Sequence, residues 1–273
     1  MNASFIDLHI HTNCSDGTFA PEKVIEIAHD KGLSAIAITD HDTIDAIAPA
    51  IQFSHKFGIE VIPGIELSAY DESLEVHILG YFIDYNKAWL NEKLSDIREV
   101  RRKRFEEIIN KLTHFGIVLK KTTINLDKNI SYGRPHIAQL LFNEGHVSCI
   151  QEAFKKYLGN DCPCYVEKKR LSIADAIEII RHAHGIPVLA HPGVLKNDAN
   201  ISHYIEKGIR GIEIYHSEHS KSDEQKYLQI AHDNNLLITG GSDCHGHCKP
   251  EVLIGKTKLP YSFLERLKEE HLK

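Results

Sequence analysis

No stretch of the 273 residues approaches the roughly 20 consecutive apolar residues that a membrane-spanning helix requires. The opening Met1-Asn2-Ala3-Ser4-Phe5 has neither the basic segment nor the apolar core of an export signal, so a cytoplasmic location is expected, with no membrane association. Cysteine is scarce and irregularly spaced: Cys14, Cys149, Cys162, Cys164, Cys244 and Cys248 form no disulfide framework. Reduced, unligated thiols are expected there, in preference to zinc clips at 162–164 and 244–248. Internal repeats and low-complexity tracts are absent, and no serine or cysteine sits in a recognisable nucleophile elbow. What remains, with 26% charged and 42% apolar residues, is the composition of a soluble globular chain large enough for a substantial core.

Histidine, by contrast, is abundant, at 19 residues. Seven short apolar runs carry a histidine or an acid at or near their ends, at His9 and His11, Asp40 and His41, Glu66, His77, His191, Glu213 and His216, and Asp243 and His245. Parallel α/β barrels place reactive residues where strands end, on one rim. A rim of imidazoles and carboxylates is what a multi-metal hydrolytic site requires. His55, His114, His203, His232 and His271 fall on expected helix faces or ends and need no such role.

Strand and helix signals alternate from the first residues: a strand to His11, a helix from Pro21 closed by Gly32, a strand at 35–39, a helix at 45–57 and a strand at 60–66. This alternation predicts parallel strands with right-handed crossovers. The segment before the strand at 75–82 is too short for a helix, so that strand should pair directly. Residues 87–167 then lack strand signals. Leu90, Leu94, Ile97, Val100, Phe105, Ile108 and Leu112 define one long amphipathic helix, followed by helices at 134–143 and 148–158. Alternation resumes at 173 and runs to a strand at 236–239. The expected architecture is a distorted (β/α)7 TIM-like barrel built from 1–86 and 168–273, with 87–167 as a helical insertion over its mouth. Residues 87–170 hold 17 Lys/Arg against 10 Asp/Glu, a net of +7, which leaves −13 on the rest. A basic segment on an acidic body suits an anionic substrate as well as it suits a solvated helix.

His9 and His11, two apart on one strand, share a face. With Asp16, His41, Glu66, His77, His191, Asp243 and His245 they make nine nitrogen and oxygen donors at strand ends, far more specific than any pair alone. Mixed ligands of this kind suit Mn, Fe or Zn better than Mg or Ca.

The motifs Asp7-x-His9-x-His11 with Asp16-Gly17, Thr39-Asp40-His41-Asp42, Pro63-Gly64-Ile65-Glu66, Val76-His77-Ile78-Leu79-Gly80, Ala190-His191-Pro192 and Gly241-Ser242-Asp243-x-His245-Gly246 resemble the PHP (polymerase and histidinol phosphatase) family over nearly the whole chain. The nearest likeness is to its stand-alone bacterial nucleotide phosphoesterases, which include 3′,5′-nucleoside bisphosphate phosphatases and a 5′-to-3′ exoribonuclease. The resemblance implies two to three divalent ions, Mn foremost with Fe or Zn as alternatives. His9, His11, Glu66 and Asp243 would hold one ion. Glu66 would bridge to a second ion held by His77 and His191, and Asp16, His41 and His245 would hold a third. A metal-bridging hydroxide would then attack phosphorus.

Among residues outside that ligand set, Asp40 and Asp42 would support the site from behind, Asp42 serving equally well as a helix cap. His216 is assigned to phosphate contact or proton transfer, and with Asp243 it makes up the catalytic pair. Ser131-Tyr132-Gly133-Arg134-Pro135-His136 resembles the subgroup's Gly-Arg-Pro-His segment, which puts Arg134, helped by His136, on a substrate phosphate. Of the basic run 101–104, at most two residues can face one site, and a solvated face is expected. Cys244 stands where relatives often carry an aromatic residue, so altered packing is expected there. The expected activity is metal-dependent hydrolysis of a terminal phosphate from 3′,5′-nucleoside bisphosphates or short oligonucleotides, with no obligate protein partner. Histidinol-phosphate phosphatase is the alternative enzyme, and a metal-stabilised polymerase-accessory module the non-catalytic one.

Overall fold

The computed structural model describes residues 4–72, 74–120, 127, 129–167, 171–195, 198–248 and 251–273. Strands β1 (Phe5–Ile10), β2 (Leu33–Ile38), β3 (Glu60–Asp71), β4 (Leu74–Tyr81), β5 (Ile186–Leu189), β6 (Gly211–His216), β7 (Leu237–Gly241) and β8 (Leu259–Pro260) form one sheet. Its order is β7-β6-β5-β4-β3-β2-β1-β8. The ring is drawn together where the chain after β7 meets β1: His11 N–H donates to Cys244 O at 3.0 Å and Asp243 N–H to His9 O at 2.9 Å.

The helices are α1 (Pro21–Asp30), α2 (Ile47–Ser54), α3 (Ala88–Thr113), α4 (Arg134–Asn143), α5 (Ile150–Ala153), α6 (Ile173–His182), α7 (Pro192–Leu195), α8 (Ile201–Glu206), α9 (Lys221–Asp233) and α10 (Ser262–His271). Local chemistry sets their ends. Proline opens α1, and Gly32 takes a φ of 70° just beyond it. The Ser172 hydroxyl caps α6, and Ser220 with Asp223 forms a reciprocal cap on α9. The helix expected at 148–158 is divided: α5 runs into a π-helical turn at Phe154–Leu158.

Two features differ from the sequence expectation. Among the described residues the sheet has eight strands where seven were counted, because β8 is only two residues long and too short to show a period. And β4 runs antiparallel to both β3 and β5, while β1-β2-β3 and β5-β6-β7 are parallel. With two residues between β3 and β4 no crossover helix fits, so the chain can only reverse. A reversed strand meets the active rim with its beginning. That is why His77 lies in the first half of β4, whereas His9, His11, His41, His191, Asp243 and His245 lie at or just beyond the ends of parallel strands.

One apolar cluster joins Ile6, Leu8, Ala37, Ile62 and Val188 from around the ring to Leu264 and Leu267 of α10. A larger one packs the strands against α1, α2, α6 and α9, and includes the buried Cys244, whose side chain thus points into apolar packing. A third, from Phe105 to Val166, is made entirely of residues within 87–167. All six cysteines are free thiols. No helix among the described residues is long and apolar enough to cross a membrane.

Candidate metal centre

Several site residues sit on backbone that ordinary residues avoid. Asp42, His191 and Asp243 have φ values of 51°, 25° and 50°, a cost of about 1–3 kcal/mol each that persists only where surrounding contacts fix it. At Asp243 the fixing contact is its own N–H to His9 O. At His191 it is the N–H donated to Glu213 Oε2 at 2.9 Å. At Asp42 the carboxylate accepts from Ser68 N–H at 3.0 Å and from Arg101 Nε at 2.5 Å. These kinks turn the chain across the rim.

The nine donors named from sequence converge. His9, His11, Glu66 and Asp243 offer atoms that all lie within 4.8 Å of one another, as do His11, Asp16, His41 and His245, and His41, Glu66 and His77. Each pair of these groups has one member in common, His11, His41 or Glu66, and Glu66 reaches His191 as well. Glu66 Oε2 lies 3.2 Å from His11 Nε2 and 3.1 Å from His41 Nδ1, and its Oε1 lies 3.0 Å from His77 Nδ1 and 2.9 Å from His191 Nε2. Asp16 Oδ1 stands 3.1 Å from His245 Nε2. Glu66 Oε2, Asp16 Oδ1 and His41 Nδ1 are buried with no hydrogen-bond partner among the described residues. Such orphans are costly unless something else satisfies them, and a cation between facing lone pairs does so. The donor set therefore fits divalent metal.

Electrostatics point the same way. Burial opposes charge throughout. Even so, the histidines around Asp16, Glu66 and Asp243 hold those carboxyls well below the usual range. In return, Glu66 outweighs burial and lifts His77 to about 10, and Asp16 with Asp243 does the same for His245. Burial instead drives His41 down to about 3. Protons stand in for metal charge in this cluster.

Supporting contacts orient the donors. His9 Nδ1–H donates to both oxygens of Glu213, at 3.0 and 3.1 Å, which leaves its Nε2 lone pair facing His11, Glu66 and Asp243. Asp40 accepts from Thr12 N–H, Thr12 Oγ and Ser15 Oγ, which fixes the turn that carries Asp16. Asp42 caps no helix, since α2 begins after Ala46; it receives Arg101 instead. His216 presents Nε2 to Asp243 Oδ2 at 3.4 Å, forms a further donor group with His9 and Glu213, and accepts Glu218 N–H on Nδ1.

The insertion residues behave less simply. Arg134 opens α4 beside the cluster, donating to Leu158 O, to Asn160 Oδ1 and to Glu75 Oε2 at 3.3 Å. His136 has both ring nitrogens engaged: Nδ1 accepts Gly133 N–H, and Nε2–H donates to Ser15 O at 2.8 Å. That differs from the phosphate contact expected of it and ties α4 to the Asp16 turn. The basic run splits. Arg102 and Lys103 pair outward with Glu99, whereas Arg101 is buried and Arg104 half-buried, against the expected solvated face. Arg98 and Arg101 fall in register with Leu94, Phe105, Ile108 and Leu112 on the buried stripe of α3. That register was readable from the sequence. Glu213, an acid between Ile212 and Ile214 in an apolar strand, carried a similar signal.

An α/β barrel whose rim gathers buried imidazoles and carboxylates around orphaned lone pairs is the framework of a metal-dependent phosphoric ester hydrolase. The chain belongs to the PHP family: the PHP domain matches residues 7–184. It is 32% identical over 262 residues to the 5′-3′ exoribonuclease Rnm of Escherichia coli (strain K12), covering 93% of this chain and 89% of that one. It is 32% identical over 247 residues to a 3′,5′-nucleoside bisphosphate phosphatase of Chromobacterium violaceum, covering 88% and 87%. A phosphoribosyl 1,2-cyclic phosphate 1,2-diphosphodiesterase of Eggerthella lenta is 29% identical over 250 residues, covering 88% and 94%. Among solved structures, a candidate metal-dependent phosphoesterase from Bifidobacterium adolescentis superposes with a TM-score of 0.89 at 28% identity, covering 96% and 94%. A Chromobacterium violaceum structure described as an amidohydrolase, with bound sulfate and no metal, gives 0.86 at 30%, covering 97% and 96%.

Proposed function

We propose that this phosphoesterase removes a terminal phosphate from nucleotides, nucleoside 3′,5′-bisphosphates foremost, or from short oligonucleotides. The observation that carries the reading is the adjacency of two unlike neighbourhoods. The nine-donor cluster lies one side chain, Glu75, from Arg134 of the insertion: Glu75 faces Arg134 Nη2 at 3.3 Å with one oxygen and His77 Nε2 at 3.9 Å with the other. A compact metabolite needs only the cluster, whereas a nucleotide has further anionic groups for the insertion to hold. Relatives named as bisphosphate phosphatase and exoribonuclease, each about one-third identical, support the same reading.

In this reading His9, His11, Glu66 and Asp243 hold one divalent cation. Glu66 is shared with a second at His77 and His191, and Asp16, His41 and His245 hold a third. Bound there, divalent cations supply positive charge for the phosphate oxygens and make water acidic enough to act as a nucleophile near neutral pH. The chain's own groups do the rest. Glu213 keeps the His9 proton on Nδ1, and Asp40 holds Asp16 in place. His216 contacts the reacting phosphate beside Asp243, and Arg134 grips the substrate away from the reacting atoms. His136 fixes α4 against the rim. The 87–167 segment acts as the unit that covers the barrel mouth.

A Mn²⁺ assay on adenosine 3′,5′-bisphosphate, a 5′-phosphorylated oligoribonucleotide, histidinol phosphate and a ribosyl 1,2-cyclic phosphate tests the proposal. Phosphate release from the bisphosphate and not from histidinol phosphate is expected. The reverse pattern sinks the proposal, and cleavage of the cyclic diester alone moves the chain to the Eggerthella relative's chemistry. His11→Ala or Asp243→Ala should abolish turnover. Arg134→Ala should raise KM with kcat largely kept, because it removes binding that is uniform along the reaction.

A further inference from the structure

The direction in which His191 points is left to its backbone. Its Nε2 lies 2.9 Å from Glu66 Oε1, but its Nδ1 is buried with no hydrogen-bond partner among the described residues. His9, by contrast, is oriented through its second nitrogen by Glu213. The His191 backbone holds a φ of 25°, with its N–H given to Glu213 and its carbonyl accepting Val194 N–H at 3.0 Å. The next anchor comes from a different turn. Gly193 N–H donates to Nε2 of His219 at 3.1 Å. His219 is held in its turn: Nδ1–H donates to Ile214 O at 2.7 Å, which leaves on Nε2 the lone pair that Gly193 requires. Burial keeps this imidazole below its ordinary pKa and therefore neutral. Its ring stands 5.1 Å from that of His216 and 5.4 Å from that of Tyr227, whose hydroxyl donates to Asp198 at 2.8 Å. The fit against Gly193 is close. A Cβ there would come within 2.7 Å of His219 Cδ2 and 3.0 Å of Nε2.

We infer that His219 is a positioning residue for the metal centre: it bolts the turn after β5 to the turn after β6 and so aims His191 at Glu66. The inference rests on the cation proposed above at His77 and His191, and deepens that reading. His219 belongs to none of the donor groups, so it acts only through its neighbours. Glu213 and His219 grip the His191 turn at two points, one at residue 191 and one at residue 193. Without the Gly193 bond, the costly φ at His191 loses one of its two side-chain restraints and relaxes toward ordinary backbone. Nε2 then swings away from Glu66, and the unpartnered Nδ1 offers nothing to stop it. The same ring backs His216, whose imidazole lies 5.3 Å from that of His191. One side chain thus sets the spacing of two site histidines carried on separate strands.

The test is Mn²⁺ titration of the full-length chain against a competing chelator, with turnover of adenosine 3′,5′-bisphosphate measured alongside. Two amides separate the two hydrogen bonds of the imidazole. His219→Gln reaches Gly193 with an acceptor oxygen in place of Nε2, whereas His219→Asn keeps a donor for Ile214 O and falls short of Gly193. His219→Asn should weaken one Mn²⁺ equivalent about tenfold and leave the others in place, as loss of a ligand's supporting contact implies. His219→Gln should recover most of that loss. Gly193→Ala, which pushes the ring away from the other side, should match His219→Asn, and combining the two should add less than about twofold because both break one contact. In turnover kcat should fall with KM largely kept, since a misdirected ligand acts at the reacting centre. Equal behaviour of the Asn and Gln variants, or a uniform loosening of every Mn²⁺ equivalent, overturns the role. If His219→Asn does not fold, Gly193→Ala and His219→Gln carry the same comparison. Unchanged Mn²⁺ uptake in a variant of a chain that turns over the bisphosphate discards the role of His219 and leaves the proposed function standing. One weakened Mn²⁺ equivalent in a chain that turns over no nucleotide does the opposite.

Discussion

Arg101 spans the insertion and the barrel, and replacing it should be among the costliest single changes in this protein. Its Nε donates to Asp42 Oδ2, Nη2 to Ser68 Oγ at 2.6 Å and Nη1 to Tyr132 O at 3.2 Å. The pair is buried, with the Arg101 side chain 8% and the Asp42 side chain 0% exposed. Arg101→Met keeps much of the stem and removes the charge, leaving the Asp42 carboxylate buried against Ser68 N–H without its cation. Breaking a buried pair from one side costs about 3–5 kcal/mol. That is a large share of the roughly 5–15 kcal/mol that typically holds a domain folded. For a chain of this size it corresponds to about a 10 °C fall in Tm. Asp42→Asn alone should cost a similar amount, but the double variant should be less damaged than the sum, with a coupling of about 2–3 kcal/mol. Urea unfolding of the four proteins in chelator measures this without interference from metal. Additive losses, or a loss under about 1 kcal/mol for Arg101→Met, would falsify the claim that this ion pair fastens the insertion to the strand end bearing His41.

Other outcomes follow from the same contacts. Glu213→Gln should cost about 10–100-fold in metal affinity with the fold retained, because it loosens His9 and the His191 N–H without deleting a proposed ligand; titration with Mn²⁺ and a competing chelator reads it. Without metal, thermal stability should depend on pH in a definite sense. His77 and His245, raised from 6.5 to about 10, contribute stability that is complete below pH 6.5 and is lost as pH climbs toward 10. Asp16, Glu66 and Asp243, depressed when folded, contribute stability above the ordinary carboxyl range and lose it on acidification. His41, pushed down to about 3, subtracts stability only below its ordinary 6.5. Melting in chelator should therefore occur at lower temperature at pH 9.5 than at pH 6.5, and a flat profile would contradict the charge balance drawn here. Metal affinity should run the other way, rising with pH as ions displace these protons.

The parts of this fold that follow short-range rules were legible. The helix at 134–143 has the bounds the sequence implied, because Gly133 and Pro135 punctuate its start. The long helix of the insertion agrees within a few residues with its apolar spacing. The nine donors were nameable in advance since each stands beside a turn signal or in a two-residue rhythm. What escaped depends on partners distant in sequence. Strand direction at β4 required knowing that a two-residue link must reverse the chain. Glu213 becomes meaningful only once His9, 204 positions away, is placed against it. Arg101 looked like one of four solvated cations until Asp42 and Ser68 supplied the pocket. For His136, the motif indicated the right neighbourhood and not the bonds that both its nitrogens make.

The seam between β1 and the segment after β7 has a bearing on how the protein is made. Donors from residue 9 to residue 245 meet across it: His9, His11, Asp16, His41, Glu66 and His77 are synthesised early, and His191, Asp243 and His245 much later. Until the ribosome has released most of the chain, His9, His11, Asp16, His41 and Glu66 have no Asp243 or His245 to face, and the open strand edge of β1 is unpaired. Contacts of such long sequence separation are slow to form and leave partly folded chains prone to association. The amino-terminal half is then an incomplete chelator on a sticky edge. A cation captured at that stage would be held by a different and smaller set of donors than the one that awaits it when the ring shuts.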